Sequence, residues 1–159
     1  QKIQKVLRKE RLRESRIEQA VSTFESGYTC AQSVFATYAD LFGMDRQTAL
    51  KLASPMGGGV GRMREICGVV SAMALLAGLK EGNTDPENEE GKERIYLLTR
   101  KMADRFKEKN NSIICRELLG IEGREESARP SPRTKEYYAS RPCSRLVADA
   151  SRIIEEMLL

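Results

Sequence analysis

Residues 54–79 read SPMGGGVGRMREICGVVSAMALLAGL, and the way this stretch folds decides the rest. Three consecutive glycines, Gly57 to Gly59, and a fourth at Gly61 permit left-handed backbone and let another group come close to the main chain. From Cys67 to Leu79 there is no charged residue and a single hydroxyl, Ser71. As a helix that run is about 20 Å long, too short to cross a bilayer. It reads as a buried central helix over 67–79 with Cys67 at its positive end. A chain of 159 residues organised around such a helix is expected to be a single helical domain, 1–159, with a substantial core.

Upstream, residues 2–26 read as one long basic helix. Ile17, Ala20, Val21 and Phe24 fall at i, i+3, i+4 and i+7 and define its apolar face. The preceding KIQKVLRKERLRESR reads as a solvated face, with a partner-binding arm or a homodimer contact as the sharper alternative. Gly27 ends the helix, and Thr29-Cys30-Ala31-Gln32 fits a capping box opening a second helix to about Phe42. Gly43 stops that one, and Asp45 caps a third over 46–54, closed by Pro55.

Downstream, Asp85-Pro86 reads as the start of a helix over 87–109, with Ile95, Leu98, Met102 and Phe106 as its buried stripe. Ser112 opens a short helix from Ile113 to Leu119. Residues 120–136 carry two prolines and many charges and read as a flexible loop, or alternatively a lid over a site. Pro142 suits the first turn of a last helix, whose Leu146, Val147, Ala150, Ile153, Ile154, Met157 and Leu158 form a broad apolar face. No segment alternates with period two for long. The expected fold is all-α, a bundle of about six to seven helices around 67–79.

Composition removes several functions. Histidine is absent, which excludes a Cys-His or Ser-His pair and mixed Cys/His zinc fingers within this chain. The net charge of +4 is modest and scattered beyond the first helix, so nucleic acid is not an expected partner, and neither is a membrane. No secretory signal is recognisable, and the expectation is a cytoplasmic protein with reduced or redox-switching thiols. MGGGVGR lacks the final Lys-Ser/Thr of a phosphate loop and follows no strand.

The four cysteines, Cys30, Cys67, Cys115 and Cys143, are widely separated and form no C-x-x-C. Each nevertheless falls at the start of a different expected helix: Cys30 after its cap Thr29, Cys67 opening the central helix, Cys115 after Ser112, Cys143 after Pro142. A helix N-terminus stabilises an anion, so thiolates are favoured there, more so beside arginine. Arg62, Arg64, Arg116, Arg141 and Arg145 all lie close in sequence to Cys67, Cys115 or Cys143.

In order, GYTCAQSV, MGGGVGR, CGVVSAM, CREL and CSRLV resemble the C_GCAxxG_C_C family, whose members are described as putative redox-active proteins. The resemblance runs from about Phe24 to the C-terminus and is strongest from Met56 to Gly68. It matches Cys30, Cys67, Cys115 and Cys143 to the family's four cysteines, and Gly57, Gly58, Gly59, Gly61 and Gly68 to its glycines. The chain departs from the pattern at Val69 and Ala72, where a small Ala and a Gly are expected. A related domain in a haem- and iron–sulfur-containing cytochrome implies cofactor binding as an alternative, although nothing here holds haem covalently.

Three functions compete. The first is thiol-based redox chemistry of a thiol–disulfide oxidoreductase-like kind, acting on a small molecule or a redox partner. Cys67 is its candidate nucleophile, Cys30 its resolving partner, and Cys115 and Cys143 complete the catalytic set. Gly57, Gly58, Gly59, Gly61 and Arg62 would receive the cofactor or anionic substrate. The second uses Cys30, Cys67, Cys115 and Cys143 as four ligands to zinc or an iron–sulfur cluster in electron transfer. The third is a helical interaction protein whose cysteines are core residues.

Overall fold

A computed structural model describes residues 1–6 and 14–159. Within them the chain is all-α, with no strand. The α-helices are α1 (Ile17–Glu25), α2 (Cys30–Tyr38), α3 (Arg46–Ala53), α4 (Gly68–Glu81), α5 (Glu89–Asn110), α6 (Cys115–Leu119), α7 (Lys135–Ser140) and α8 (Cys143–Met157). Single 3₁₀ turns follow α2 at Ala39–Phe42 and α3 at Ser54–Met56. No helix among the described residues is long and apolar enough to cross a membrane.

Local signals account for most boundaries. The capping box at α2 forms as read: the Thr29 hydroxyl accepts from the Gln32 N–H, and the Gln32 side chain accepts from the Thr29 N–H, both at 3.1 Å. Asp45 caps α3 by accepting from the Thr48 N–H. α6 begins at Cys115 after Ile114 rather than at Ile113 after Ser112, and two further starts differ from expectation. Asp85 spends its carboxylate on the Glu87 N–H in a turn, and Asn88 caps α5 by accepting from the Gly91 N–H at 2.9 Å. The second concerns the helix expected over 2–26. Residues 2–6 are helical and 7–13 lie outside the described residues, but residues 14–16 are non-helical. There Arg16 turns inward instead: its backbone N–H donates to Glu155 of α8, and its guanidinium donates to the Thr37 carbonyl and to Asp40.

Two helices, α2 and α4, supply much of the core. α4 buries Gly68, Val69, Val70, Ala72, Met73, Leu76 and Ala77 and packs against α2, α5 and α8. α2 is enclosed still more fully, buried from Ala31 and from Ser33 through Tyr38, because α1, α3, α4 and α8 all pack on it. Each fully buried large side chain there, such as Phe35 or Leu76, contributes about 1.5–3 kcal/mol by leaving water. α1 and α8 pair through the faces bearing Phe24, Val147, Ala150 and Ile154. In α5 the expected stripe is buried at Met102 and Phe106, while Ile95 and Leu98 sit half-buried against the core. This arrangement points the starts of α2, α4, α6 and α8 toward one region.

Candidate functional site

Cys30, Cys115 and Cys143 are the first residues of α2, α6 and α8, and Cys67 is the residue before the first turn of α4. All four line one cavity of about 360 Å³, a size suited to a small ligand. All four are free thiols, Cys67 and Cys115 buried, Cys30 and Cys143 half-buried.

Two far-apart segments are stitched together to build it. The Cys67 N–H donates to the Ile113 carbonyl at 2.8 Å, and the Cys115 N–H donates to the Glu65 carbonyl at 2.6 Å. These bonds flank an isolated antiparallel bridge between Ile66 and Ile114. They satisfy main-chain groups that helix ends would otherwise leave unpaired, and they hold Cys67 and Cys115 in register. Helical periodicity carries no signal for this bridge.

The glycine-rich segment is the floor. Five consecutive residues, Gly58 to Arg62, adopt positive φ, and Arg64 does so again at +61°. Glycine takes this conformation freely, whereas Val60 and Arg62, both at +63°, each cost about 1–2 kcal/mol. Carbonyls of Pro55, Gly57, Gly58 and Gly59 offset that cost by accepting from the N–H groups of Gly61, Arg62, Arg64 and Glu65. A side chain at Gly59 would meet the Cβ of Cys115 at 2.6 Å, and one at Gly68 the sulfur of Cys30 at 2.7 Å. The missing Cβ atoms are what let Cys115 and Cys30 reach the cavity wall.

The roof is the segment expected as a loop or lid. Residues 121–134 have no regular structure, yet Ala128, Pro130, Ser131 and Arg133 line the cavity. Three arginines tie this strap down. Arg62 donates to the Ser127 carbonyl at 2.6 Å and to the Ser131 hydroxyl at 2.9 Å, with Glu125 at 3.8 Å. Arg133 donates to the Phe24 and Tyr28 carbonyls and lies over the rings of Phe24, Tyr137 and Tyr138. Arg141 donates to Ser131 and lies 4.3 Å from the Tyr137 ring centroid. α7, which periodicity did not separate from the loop, supplies Tyr137.

Electrostatically, burial outweighs the helix ends. Desolvation pushes the Cys30 thiol up to about 12, reinforced by repulsion from Cys143 and Cys115, while the backbone N–H groups of Ala31 and Gly58 pull the other way. Burial likewise raises Cys67 well above an ordinary thiol, with Cys30 the strongest like-charged influence and no guanidinium among the groups acting most strongly on it. Cys143 is also raised by burial, but Arg141, Arg133 and Arg64 oppose the rise. The expectation of thiols made acidic by helix starts is therefore corrected for these three: their environment is too dry.

Arg64 is 3 % exposed. Its Nη1 sits 3.7 Å from the Cys115 sulfur, and its Nε has no partner among the described residues. Of the cations expected beside cysteines, Arg116 instead pairs with Glu65, and Arg145 is exposed outside the cavity. Arg133 and Tyr137 were not anticipated, because nothing in their local sequence links them to a cysteine. Gly57, Gly58, Gly61 and Arg62 line the cavity, and Gly59 braces it from behind Cys115. Among the described residues, no three of Cys, Asp or Glu converge within reach of one metal ion. A four-cysteine zinc site, which gathers its sulfurs about one ion, does not fit this arrangement.

The model of the family described as "Putative redox-active protein (C_GCAxxG_C_C)" matches residues 28–157, a span that includes all four cysteines and the glycine-rich floor. No curated protein and no solved structure matches the chain.

Proposed function

The chain belongs to the C_GCAxxG_C_C family, and from that premise we propose that it is a redox protein working by thiol–disulfide exchange inside the four-cysteine cavity. Cys143 is the attacking thiol and Cys30 its resolving partner. One observation carries the reading: four cysteines far apart in sequence, each from a different helix start, line one ligand-sized space. Cysteines serving only as core residues have no reason to share a cavity, which weighs against a purely structural interaction protein.

Cys143 replaces Cys67 as the proposed nucleophile on electrostatic grounds. It is half-buried, so a substrate can reach it, and although burial raises its thiol, three guanidiniums oppose that rise. Cys67 is 5 % exposed and lacks that support. Cys30 is the proposed partner because it is the other half-buried thiol on the same cavity wall and feels the charge of Cys143. In the forward direction Cys143 gives up its proton and attacks one sulfur of an external disulfide, whose S–S bond breaks and releases the first thiol. Cys30 then attacks the mixed disulfide and releases the second. Two electrons and two protons pass from the dithiol to the external disulfide, and a Cys30–Cys143 bond remains.

Thiol counting before and after treatment with an external disulfide, on each Cys→Ser variant, tests this. Cys143→Ser is expected to abolish the loss of two thiols per chain, Cys30→Ser to stop at the mixed disulfide, and Cys67→Ser to slow exchange far less. Loss of exchange in Cys67→Ser with exchange retained in Cys143→Ser would return the nucleophile to Cys67.

A second reading is favoured by Arg64. A buried cation beside Cys115 with no carboxylate partner among the described residues suits a group of net negative charge, and an iron–sulfur cluster on Cys30, Cys67, Cys115 and Cys143 is one such group. Bound there, it would supply one-electron transfer. Anaerobic incubation with iron and sulfide, followed by an absorption spectrum, separates the two. A visible chromophore lost on Cys67→Ser assigns the cluster, and a colourless protein with four titratable thiols leaves exchange.

A further inference from the structure

The charge lining the cavity is one-sided. Arg62, Arg64, Arg133 and Arg141 all contribute to its wall, and no aspartate or glutamate does among the described residues. Three of the four have no carboxylate partner among the described residues. Arg62, Arg133 and Arg141 donate to carbonyls and hydroxyls, and Glu125, 3.8 Å from Arg62, is the single carboxylate within salt-bridge distance of any of the four among the described residues. Arg64 is the clearest case: nearly fully buried, its guanidinium hydrogen-bonded among the described residues to a thiol alone, with its Nε unsatisfied. An unpaired buried guanidinium costs several kcal/mol of desolvation, a cost that an anion bound within the cavity would offset. The remaining wall is apolar where Phe24, Leu118, Leu119 and Leu146 line it.

We infer that the cavity is an anion site, and that the substrate of the exchange reaction is a small disulfide bearing carboxylates, held by Arg64 and Arg141 while its sulfurs face the cysteines. This rests on the exchange reading for the chemistry but not for the binding. The apolar wall takes the ligand's methylene groups, and guanidiniums match carboxylates in bidentate geometry. The reaction is the one already balanced: the bound disulfide takes up two electrons and two protons and leaves as two carboxylate-bearing thiols, and two protein cysteines become a disulfide.

The test separates binding from chemistry. Calorimetry measures binding of suberate, a dicarboxylate of the same chain length as dithiodipropionate but unable to react, against neutral octanediol. Suberate is expected to bind and octanediol not. Arg64→Met should weaken suberate at least about tenfold, the worth of a charge-assisted hydrogen bond, and Arg64→Lys should restore part of it. Arg141→Gln serves as a second variant should Arg64→Met fail to fold. In parallel, oxidation of the protein by dithiodipropionate, hydroxyethyl disulfide and cystamine is timed, with the anionic reagent expected fastest and the cationic slowest. No suberate binding overturns the anion site, and equal measurable rates for the three reagents overturn the carboxylate-bearing disulfide as substrate. Suberate binding with no oxidation by any reagent keeps the anion site and sinks the exchange reading alone.

Discussion

A thiol at a helix start feels two opposing influences, and at Cys30 the balance is decided by water. The helix end and the N–H groups of Ala31 and Gly58 favour the thiolate, but burial among other cysteines raises the thiol from 9.0 to about 12. The sign of the consequence follows directly. In the unfolded chain such a thiol ionises near pH 9, while in the fold it keeps its proton to higher pH. Between those values the folded state binds the proton that the unfolded state has lost, so stability falls as pH rises. The contribution is complete below about pH 9 and is lost as pH climbs toward the folded value. Cys67, Cys143 and Tyr38 are raised as well and act in the same direction. The fully reduced protein is therefore expected to show a falling urea midpoint from pH 8 to pH 10, with a shallower fall in Cys30→Ala. A midpoint that rises over this range would contradict the burial argument.

The element with the most demanding geometry is the segment from Gly57 to Glu65. It must run left-handed through Gly58–Arg62 while offering no side chain to Cys115. Its glycines are not equivalent. Gly59→Ala places a Cβ 2.6 Å from the Cys115 Cβ and 2.6 Å from the Glu65 nitrogen, in a left-handed conformation, and is expected to cost about 2–5 kcal/mol. Gly61→Ala has open space around it, so only the conformational penalty of about 1–2 kcal/mol applies. Urea denaturation of both variants checks the order. Equal losses would mean that backbone conformation alone, and not contact with Cys115, sets the need for glycine at 59. The strap over 121–134 owes its place to arginines on other elements, Arg62 from the floor and Arg141 from the turn before α8.

For the whole molecule, the proposed Cys30–Cys143 bond would join α2 to α8 across most of the chain. Closing a loop of about 110 residues removes denatured-state entropy worth about 4–5 kcal/mol when the bond forms without strain. Oxidised protein is thus expected to unfold at higher urea than reduced protein, a difference absent in Cys143→Ser. An oxidised form no more stable than the reduced one would show that the bond distorts the bundle or joins other cysteines.

The amino-acid sequence by itself determined the helices and the residue types at their starts. Period-3.6 apolar faces, the Thr29–Gln32 capping box, the Asp45 cap and the glycine and proline stops are local, and each is settled within a turn or two of chain. For that reason the all-α class and the position of the four cysteines at helix starts were legible. At the start of α5 the cap is Asn88 rather than the expected Asp85, whose carboxylate accepts from the Glu87 N–H instead. Tertiary structure alone decided everything that depends on distance across the fold. The Ile66–Ile114 bridge, the shared cavity, the cluster of Arg62, Arg64, Arg133 and Arg141 on its wall, and the roof formed by 121–134 all join residues far apart in the chain. Burial, too, belongs to the assembled molecule, and it reversed the expected acidity of Cys30, Cys67 and Cys143: a helix end is written locally, but the removal of water around it is not.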